Sequence, residues 1–219
     1  MALAVRSALA TPAFGGQLDV LVLNHAVQRW GWLLPPANGS QWEDELGSVA
    51  EPWSMEFMDT ALDVNFGSFV KLSVLAMPAL VRGAGPQHRA TTAASRIVVV
   101  SSGAGKVPAV KQSVYAGAKH ALHGFFDSLR LELEHKRLPI TITTAVLGLV
   151  ETETAVRLTS GDLGMMPMAS AAEAAGAILR AAHSGREELY WPPEQFLHIA
   201  SALRAWPGLR WGLDRINLG

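Results

Sequence analysis

The chain of 219 residues contains no cysteine. That excludes a disulfide framework, thiolate catalysis and a cysteine-ligated zinc site together, and leaves the redox compartment undecided. A surplus of either charge is also missing: 18 Lys and Arg stand against 19 Asp and Glu, for a formal net charge of −1. With no basic field to draw a phosphate backbone, nucleic acid is not an expected partner. No run reaches the roughly 18 consecutive apolar residues that a spanning helix requires, and the longest, near Phe66 to Val81, is interrupted by Lys71. The chain as written therefore reads as soluble. The seven histidines lack metal-ligand spacing. His120 and His123 lie three apart with no third ligand apparent, so no metal site is expected. A phosphate loop is missing too. Gly103-Ala104-Gly105-Lys106 has the look of one, but there is no glycine at position 100 and no Ser or Thr after Lys106.

What is present reads as a single α/β domain over residues 1–219. Met1 to Ala13 reads as an amphipathic helix without a clear cleavage site, so not as a signal peptide. Leu18 to Leu23 is a short apolar run, predicting a strand buried on both faces of a parallel sheet. Residues 27–53 read as an irregular surface segment, with Pro35-Pro36 and an Asn38-Gly39-Ser40 sequon that matters only in a lumenal or secreted protein. Ser54 is a candidate N-cap for a helix to about Val81, with apolar residues at three- and four-residue spacing and Pro78 bending or ending it early. A small, polar loop over 83–95 leads to a strand from Arg96 to Ser101. A helix from about Ser113 to Lys136 is stopped by Pro139, and Ile140 to Leu147 forms the next strand. Ala169 to Ser184 is an alanine-rich helix, Glu188 to Trp191 a short last strand, and Gln195 to Gly219 a Trp- and Arg-bearing tail. Strands alternating with helices predict a three-layer, mainly parallel sheet of Rossmann-like type. Ligands of such sheets bind outside the carboxyl ends of the strands, where Asn24, Ser101-Ser102 and Gly148 fall.

The chemistry is written around one helix. Tyr115 and Lys119 are i and i+4, hence on one face. Ser102 lies thirteen residues upstream of Tyr115, at a strand end that reaches the same pocket. Hydride transfer to or from a carbon requires its oxygen to gain or lose a proton, and a phenol can serve as that acid or base. A free phenol titrates near 10, and the Lys119 ammonium is expected to move Tyr115 toward the working range. Ser102 would hold the substrate oxygen while charge develops on it.

Ser102, Tyr115-x-x-x-Lys119 and their spacing together resemble the short-chain dehydrogenase/reductase family. Leu23-Asn24-His25-Ala26 is similar to the family's Asn-Asn-Ala-Gly, keeping the second Asn. Asn65 matches its helix asparagine, which the resemblance implies helps position the lysine through water. Gly148 and Thr152 match its Pro-Gly segment and threonine, implying contact with the nicotinamide end of the cofactor, and Lys119 with Tyr115 would hold its ribose. The departures resemble the 11β-hydroxysteroid dehydrogenase type 1-like branch: Leu-Asn-His, Val-Leu-Gly-Leu, the run Val-Val-Val-Ser-Ser-Gly-Ala-Gly-Lys-Val, Glu151-Thr152-Glu153-Thr154-Ala155, and Leu213-Asp214-Arg215-Ile216-Asn217.

The resemblance implies an oxidoreductase using NADP(H), with NAD not excluded, on a steroid or similar lipophilic carbonyl or alcohol. It further implies a homodimer to which Trp206, Leu209 and Trp211 of the tail contribute, a steroid pocket bordered by Met165-Met166-Pro167-Met168, and relatives at the endoplasmic reticulum membrane. It covers only the later two-thirds of the family's fold. The first β-α-β-α-β unit, with the Thr-Gly-x-x-x-Gly-x-Gly turn that holds the pyrophosphate, has no counterpart in this sequence. The alternative expectation is therefore a truncated chain that keeps the reacting residues without binding cofactor, as a non-catalytic dimerisation partner.

Overall fold

The computed structural model describes residue 7 and residues 15–33, 53–85, 95–153, 155–156 and 168–196. The expected N-terminal helix, the Asn38 sequon, most of the 83–95 loop, Met165 to Pro167 of the expected pocket border and the tail beyond 196 lie outside these residues.

Four strands form one parallel sheet: β1 (Val20–Leu23), β2 (Ser95–Ser102), β3 (Ile140–Leu147) and β6 (Glu188–Trp191), in the order β1-β2-β3-β6. The register runs Val20 with Arg96, Ser95 with Ile140, and Thr144 with Glu188. A minor parallel pair, β4 (Val150–Glu151) and β5 (Ala169–Ser170), lies beyond the end of β3. Parallel neighbours need long crossovers, and the helices supply them. Helices α1 (Met55–Leu62) and α2 (Ser68–Gly83) follow β1, α3 (Ser113–His135) follows β2, and α4 (Ala171–His183) precedes β6.

The side-chain period of two divides the sheet into two cores. Leu23, Ile97, Val99, Ile140 and Ile142 pack on one face with Phe69, Ala76 and Leu80 of α2 and Leu122, Phe126 and Leu133 of α3. Ala145 and Leu189, of the opposite parity, pack with Ala177 and Ala181 of α4. These are the three layers that the alternating pattern predicts. Small alanines bring α4 close to the sheet, and Ser170 with Glu173 closes its first turn as a capping box.

Two expectations require correction. The first strand is not buried on both faces: Leu23 is in the core, but Val20 and Val22 are 40% and 53% exposed on a face that no described helix covers. Hydrophobicity alone cannot tell a doubly covered strand from one covered once. Pro78 does not end its helix, which runs on to Gly83. The interruption comes earlier, where Asp63–Gly67 widens into a π-helical turn between α1 and α2. Ser54 does cap this helix, accepting the Phe57 N–H at 3.1 Å. From Met55 to Gly83 the combined helix is long and apolar enough to cross a membrane by length and composition. Here its Phe69, Ala76, Ala79 and Leu80 are buried in the core of the sheet.

Candidate active site

Helix α3 is laid along the end of β2 so that three successive turns each grip one residue of the strand. Tyr115, Lys119 and His123 recur at i, i+4 and i+8 on one face. The Tyr115 phenol neighbours the Ser102 hydroxyl, close enough for that group to lower its pKa, and both line one cavity. Lys119 Nζ donates to the Val100 carbonyl at 3.1 Å. His123 Nε2 meets Ser101 Oγ at 3.1 Å. Beyond Ser102 the strand turns sharply into a 3₁₀ turn, Gly103–Gly105, and the Ser102 hydroxyl accepts the Ala104 N–H at 3.3 Å.

Burial sets the titration of both central groups. It pushes the Lys119 ammonium, 2% exposed, down from 10.5 to about 8. It also raises the Tyr115 phenol, with the Ser102 hydroxyl working in the other direction. The expectation that Lys119 would depress Tyr115 is thereby corrected. The ammonium lies 5.6 Å from the phenol ring centroid and 5.1 Å from that of Phe69, and it donates to the Val100 carbonyl.

Asn65 sits in the π-helical turn, fully buried. π-Turns shift the register of a helix locally and recur at functional sites. Its amide donates to the Val27 carbonyl at 2.6 Å and accepts the Val27 N–H at 3.1 Å, so the side chain mimics a strand partner and fixes the chain leaving β1. Nearby, Ser68 Oγ donates to the Val64 carbonyl at 2.7 Å, which leaves His25 Nε2 as the donor in its 2.5 Å contact with Ser68 Oγ. The His25 ring packs on Phe69 at 4.6 Å, and its pKa is lowered by burial and, secondarily, by the Lys119 charge.

These elements surround a cavity of about 560 Å³. Of the sequence-predicted residues, Asn24, Ser102, Tyr115, Lys119, Gly148 and Thr152 all line it, whereas Asn65 stands behind it and acts on Val27. Thr152 is exposed and its hydroxyl accepts the Ala155 N–H at 3.2 Å. Three contributions were not legible in the sequence. Residues 27–33, expected to be an irregular surface segment, cross to the segment before α3. Gln28 Nε2 donates to Gln112 Oε1 at 2.9 Å, the Gly31 N–H to the Lys111 carbonyl at 2.9 Å, and Trp30 lines the cavity. Gln195, assigned to the tail, is buried, and its Oε1 accepts the Leu149 N–H at 2.8 Å. Phe196 lines the cavity beside it. The glycine at 148 is required by this contact, since a Cβ there would fall 2.0 Å from Gln195 Oε1. The run of tryptophans in an otherwise polar segment was the only available signal for Trp30; Gln195 had none.

The result is a phenol, a hydroxyl and a buried cation at the strand ends, facing a cavity that is otherwise mostly apolar through Trp30, Val107, Leu147, Leu149, Val150 and Phe196. Such a site can donate a proton to, and hydrogen-bond, one polar atom of an apolar molecule.

Comparison with known proteins gives the same family. A hydroxysteroid 11-beta-dehydrogenase 1-like protein of Gallus gallus is 36% identical over 182 residues, covering 81% of this chain and 52% of its own length. Proteins of the same name in Xenopus tropicalis and Danio rerio are 34% and 32% identical, over 84% and 89% of this chain and 54% and 58% of theirs. The chain thus spans about half the length of these curated relatives. The family model described as short chain dehydrogenase matches residues 4–162. With a sheet of parallel strands and the family's motifs at its carboxyl ends, the chain belongs to the short-chain dehydrogenase/reductase family.

Proposed function

We propose that this chain carries the proton-transfer half of an NADP(H)-dependent site that interconverts a hydroxyl and a carbonyl on a steroid or similar lipophilic substrate. The observation that carries the reading is the meeting of the Ser102 hydroxyl, the Tyr115 phenol and buried Lys119 on one largely apolar cavity. In the direction of carbonyl reduction the Tyr115 phenol gives its proton to the substrate oxygen, and the Ser102 hydroxyl donates a second hydrogen bond to it. The raised pKa of Tyr115 keeps the phenol protonated at neutral pH, as the donor role requires. Trp30, Leu149 and Phe196 provide flat and aliphatic surface for a rigid apolar body.

The residues present fit the nicotinamide and ribose end of a dinucleotide. Lys119 has three N–H donors, of which the Val100 carbonyl takes one, and Asn24 lies exposed on the same cavity. Gly148 and Thr152 line the same cavity. When bound, the nicotinamide would supply the hydride. The names of the relatives point to a hydroxysteroid substrate class, and the match to them extends over most of this chain. Asn65, through Val27, would keep Asn24 and His25 at the strand end.

A second reading is favoured by β1, whose Val20 and Val22 lie exposed. In it the chain by itself does not grip the pyrophosphate and serves as a non-catalytic dimerisation partner. Titration of the purified chain with NADPH, followed by nicotinamide fluorescence, separates the two. Saturable binding abolished by Lys119→Met supports the enzyme reading; no binding at millimolar cofactor leaves only the second.

A further inference from the structure

Behind the reacting residues runs a second polar chain that takes no part in the proton transfer. Ser101 Oγ meets His123 Nε2 at 3.1 Å, and both residues are buried, 3% and 6% exposed. His123 Nδ1 is buried, has no hydrogen-bond partner among the described residues, and lies 3.6 Å from Glu188 Oε1 on β6. Lys106, just past the 3₁₀ turn, donates to the same Oε1 at 2.5 Å, and the Tyr190 hydroxyl donates to Oε2 at 2.8 Å. The chain ties together α3, the end of β2, β6 and the segment that leads toward Tyr115.

Its polarity follows from charge. The Glu188 carboxylate draws the imidazole proton to Nδ1, leaving Nε2 as an acceptor and the Ser101 hydroxyl as the donor. Ser101, His123 and Glu188 follow the order of groups that activates a nucleophilic hydroxyl, but the chemistry differs. Lys106 neutralises the carboxylate. Burial first, then Lys106, drives the imidazole down to about 4 against the opposing pull of Glu188 and Asp127, with His120 adding to the fall. A base that weak does not take a hydroxyl proton. What remains is a neutral, directional hydrogen bond in a dry place, where its geometric demand is strong. The backbone is shaped to admit it: a Cβ at Gly105 would lie 3.0 Å from Ser101 Oγ, 3.1 Å from His123 Nε2 and 2.9 Å from the Lys119 carbonyl.

We propose that His123 is a positioning residue for this site: by accepting the hydrogen bond of the Ser101 hydroxyl it fixes the end of β2, so that the adjacent Ser102 stays beside Tyr115. Tyr115, Lys119 and His123 form one face of α3, and the residues they hold, Ser102, Val100 and Ser101, are consecutive. Release of Ser101 frees the strand terminus to rotate, and the approach of Ser102 to Tyr115 is the first to be lost. The proposal rests on the reading of Ser102 and Tyr115 as the reacting pair, and the experiment reads that pair without cofactor or turnover.

The chain has two tyrosines, so labelling the phenol carbon Cζ with ¹³C gives two resonances, assigned with Tyr190→Phe. Ser101→Ala and His123→Leu are expected to displace the Tyr115 resonance in the same direction, and the double variant to displace it no further. His123→Gln, which returns an acceptor to the Nε2 position without titrating, is expected to restore it. Thermal unfolding identifies any variant that is not folded; Ser101→Ala, which removes one oxygen, remains informative if His123→Leu fails to fold. A folded Ser101→Ala chain whose Tyr115 resonance coincides with that of the parent overturns the proposal. A displacement that His123→Gln does not restore, while Gln is folded, overturns it as well. Failure of NADPH binding with the Tyr115 displacement intact would count against the proposed function and leave the positioning role standing.

Discussion

Replacement of Lys119 by methionine is expected to make the folded chain more stable while removing the site's cation. The Lys119 side chain is 2% exposed, and burial lowers its pKa from 10.5 to about 8. A folded-state pKa below the unfolded value means that the unfolded chain holds the proton more tightly. The penalty is therefore fully present below pH 8, shrinks between pH 8 and 10.5, and is absent above. At about 1.4 kcal/mol per pH unit, the penalty is about 3 kcal/mol at pH 7. Methionine has similar volume and no charge, and it gives up the hydrogen bond to the Val100 carbonyl, worth about 2 kcal/mol because its donor is charged. The net expectation is a stabilisation of about 1 kcal/mol at pH 7. Urea denaturation at a series of pH values provides the assay. The parent should gain stability from pH 8 to 10 while Lys119→Met stays flat over that range. Above pH 10 the parent should lose some of this gain, because the raised Tyr115 pKa means that the unfolded state releases that proton first. A variant less stable than the parent at pH 7, or one with an equal slope between pH 8 and 10, refutes the argument that the cation is held at a cost.

Tyr115→Phe is expected to lower carbonyl reduction by at least a hundredfold with NADPH affinity kept within a few-fold, measured by steady-state rates and fluorescence titration; an active variant excludes the phenol as proton donor. In the parent, reduction should decline as pH rises through about 8, where Lys119 loses its charge, and a rate unchanged from pH 7 to 9.5 would contradict the role given to that cation. Gly148→Ala places a methyl 2.0 Å from Gln195 Oε1, so it should displace Gln195 from the Leu149 amide and cost about 1–3 kcal/mol in denaturant unfolding; a loss below 0.5 kcal/mol, roughly that of an indifferent surface change, would show that the contact is dispensable. Val22→Lys, on the open face of β1 where Val22 is 53% exposed, should leave unfolding unchanged and reduce self-association in light scattering; an unchanged association state would show that this face is not the sticky one.

Much of the candidate site was legible because local rules govern it. Tyr115 and Lys119 share a face by helical period alone, and the apolar run before Ser102 announces a buried strand whose end carries the hydroxyl. The alternation of strands and helices was sufficient for a parallel, three-layer arrangement, since parallel strands require crossovers. The same patterns gave wrong detail wherever the outcome depended on partners distant in sequence. The run at residues 18–23 is equally apolar whether one face is covered or two, and only the placement of α2, α3 and α4 left Val20 and Val22 exposed. Pro78 carries a strong local signal for a stop, yet packing of Ala79 and Leu80 into the core sustains the helix past it.

The sequence by itself determined which groups could react and which strand ends they occupied, because helix period, strand length and side-chain chemistry are properties of neighbouring residues. Only the tertiary structure decided their electrostatics and their walls. Lys119 was expected to activate Tyr115, but both are buried together, and desolvation acts on each more strongly than they act on one another. Trp30, Gln112 and Gln195 reach one cavity from three separate segments, and Asn65 spends its amide on Val27, 38 residues away. The His123 link from Ser101 to Glu188 joins residues 22 and 65 positions apart. Pairings of that kind leave no periodic trace in the sequence, since their partners meet only when the sheet and its helices close.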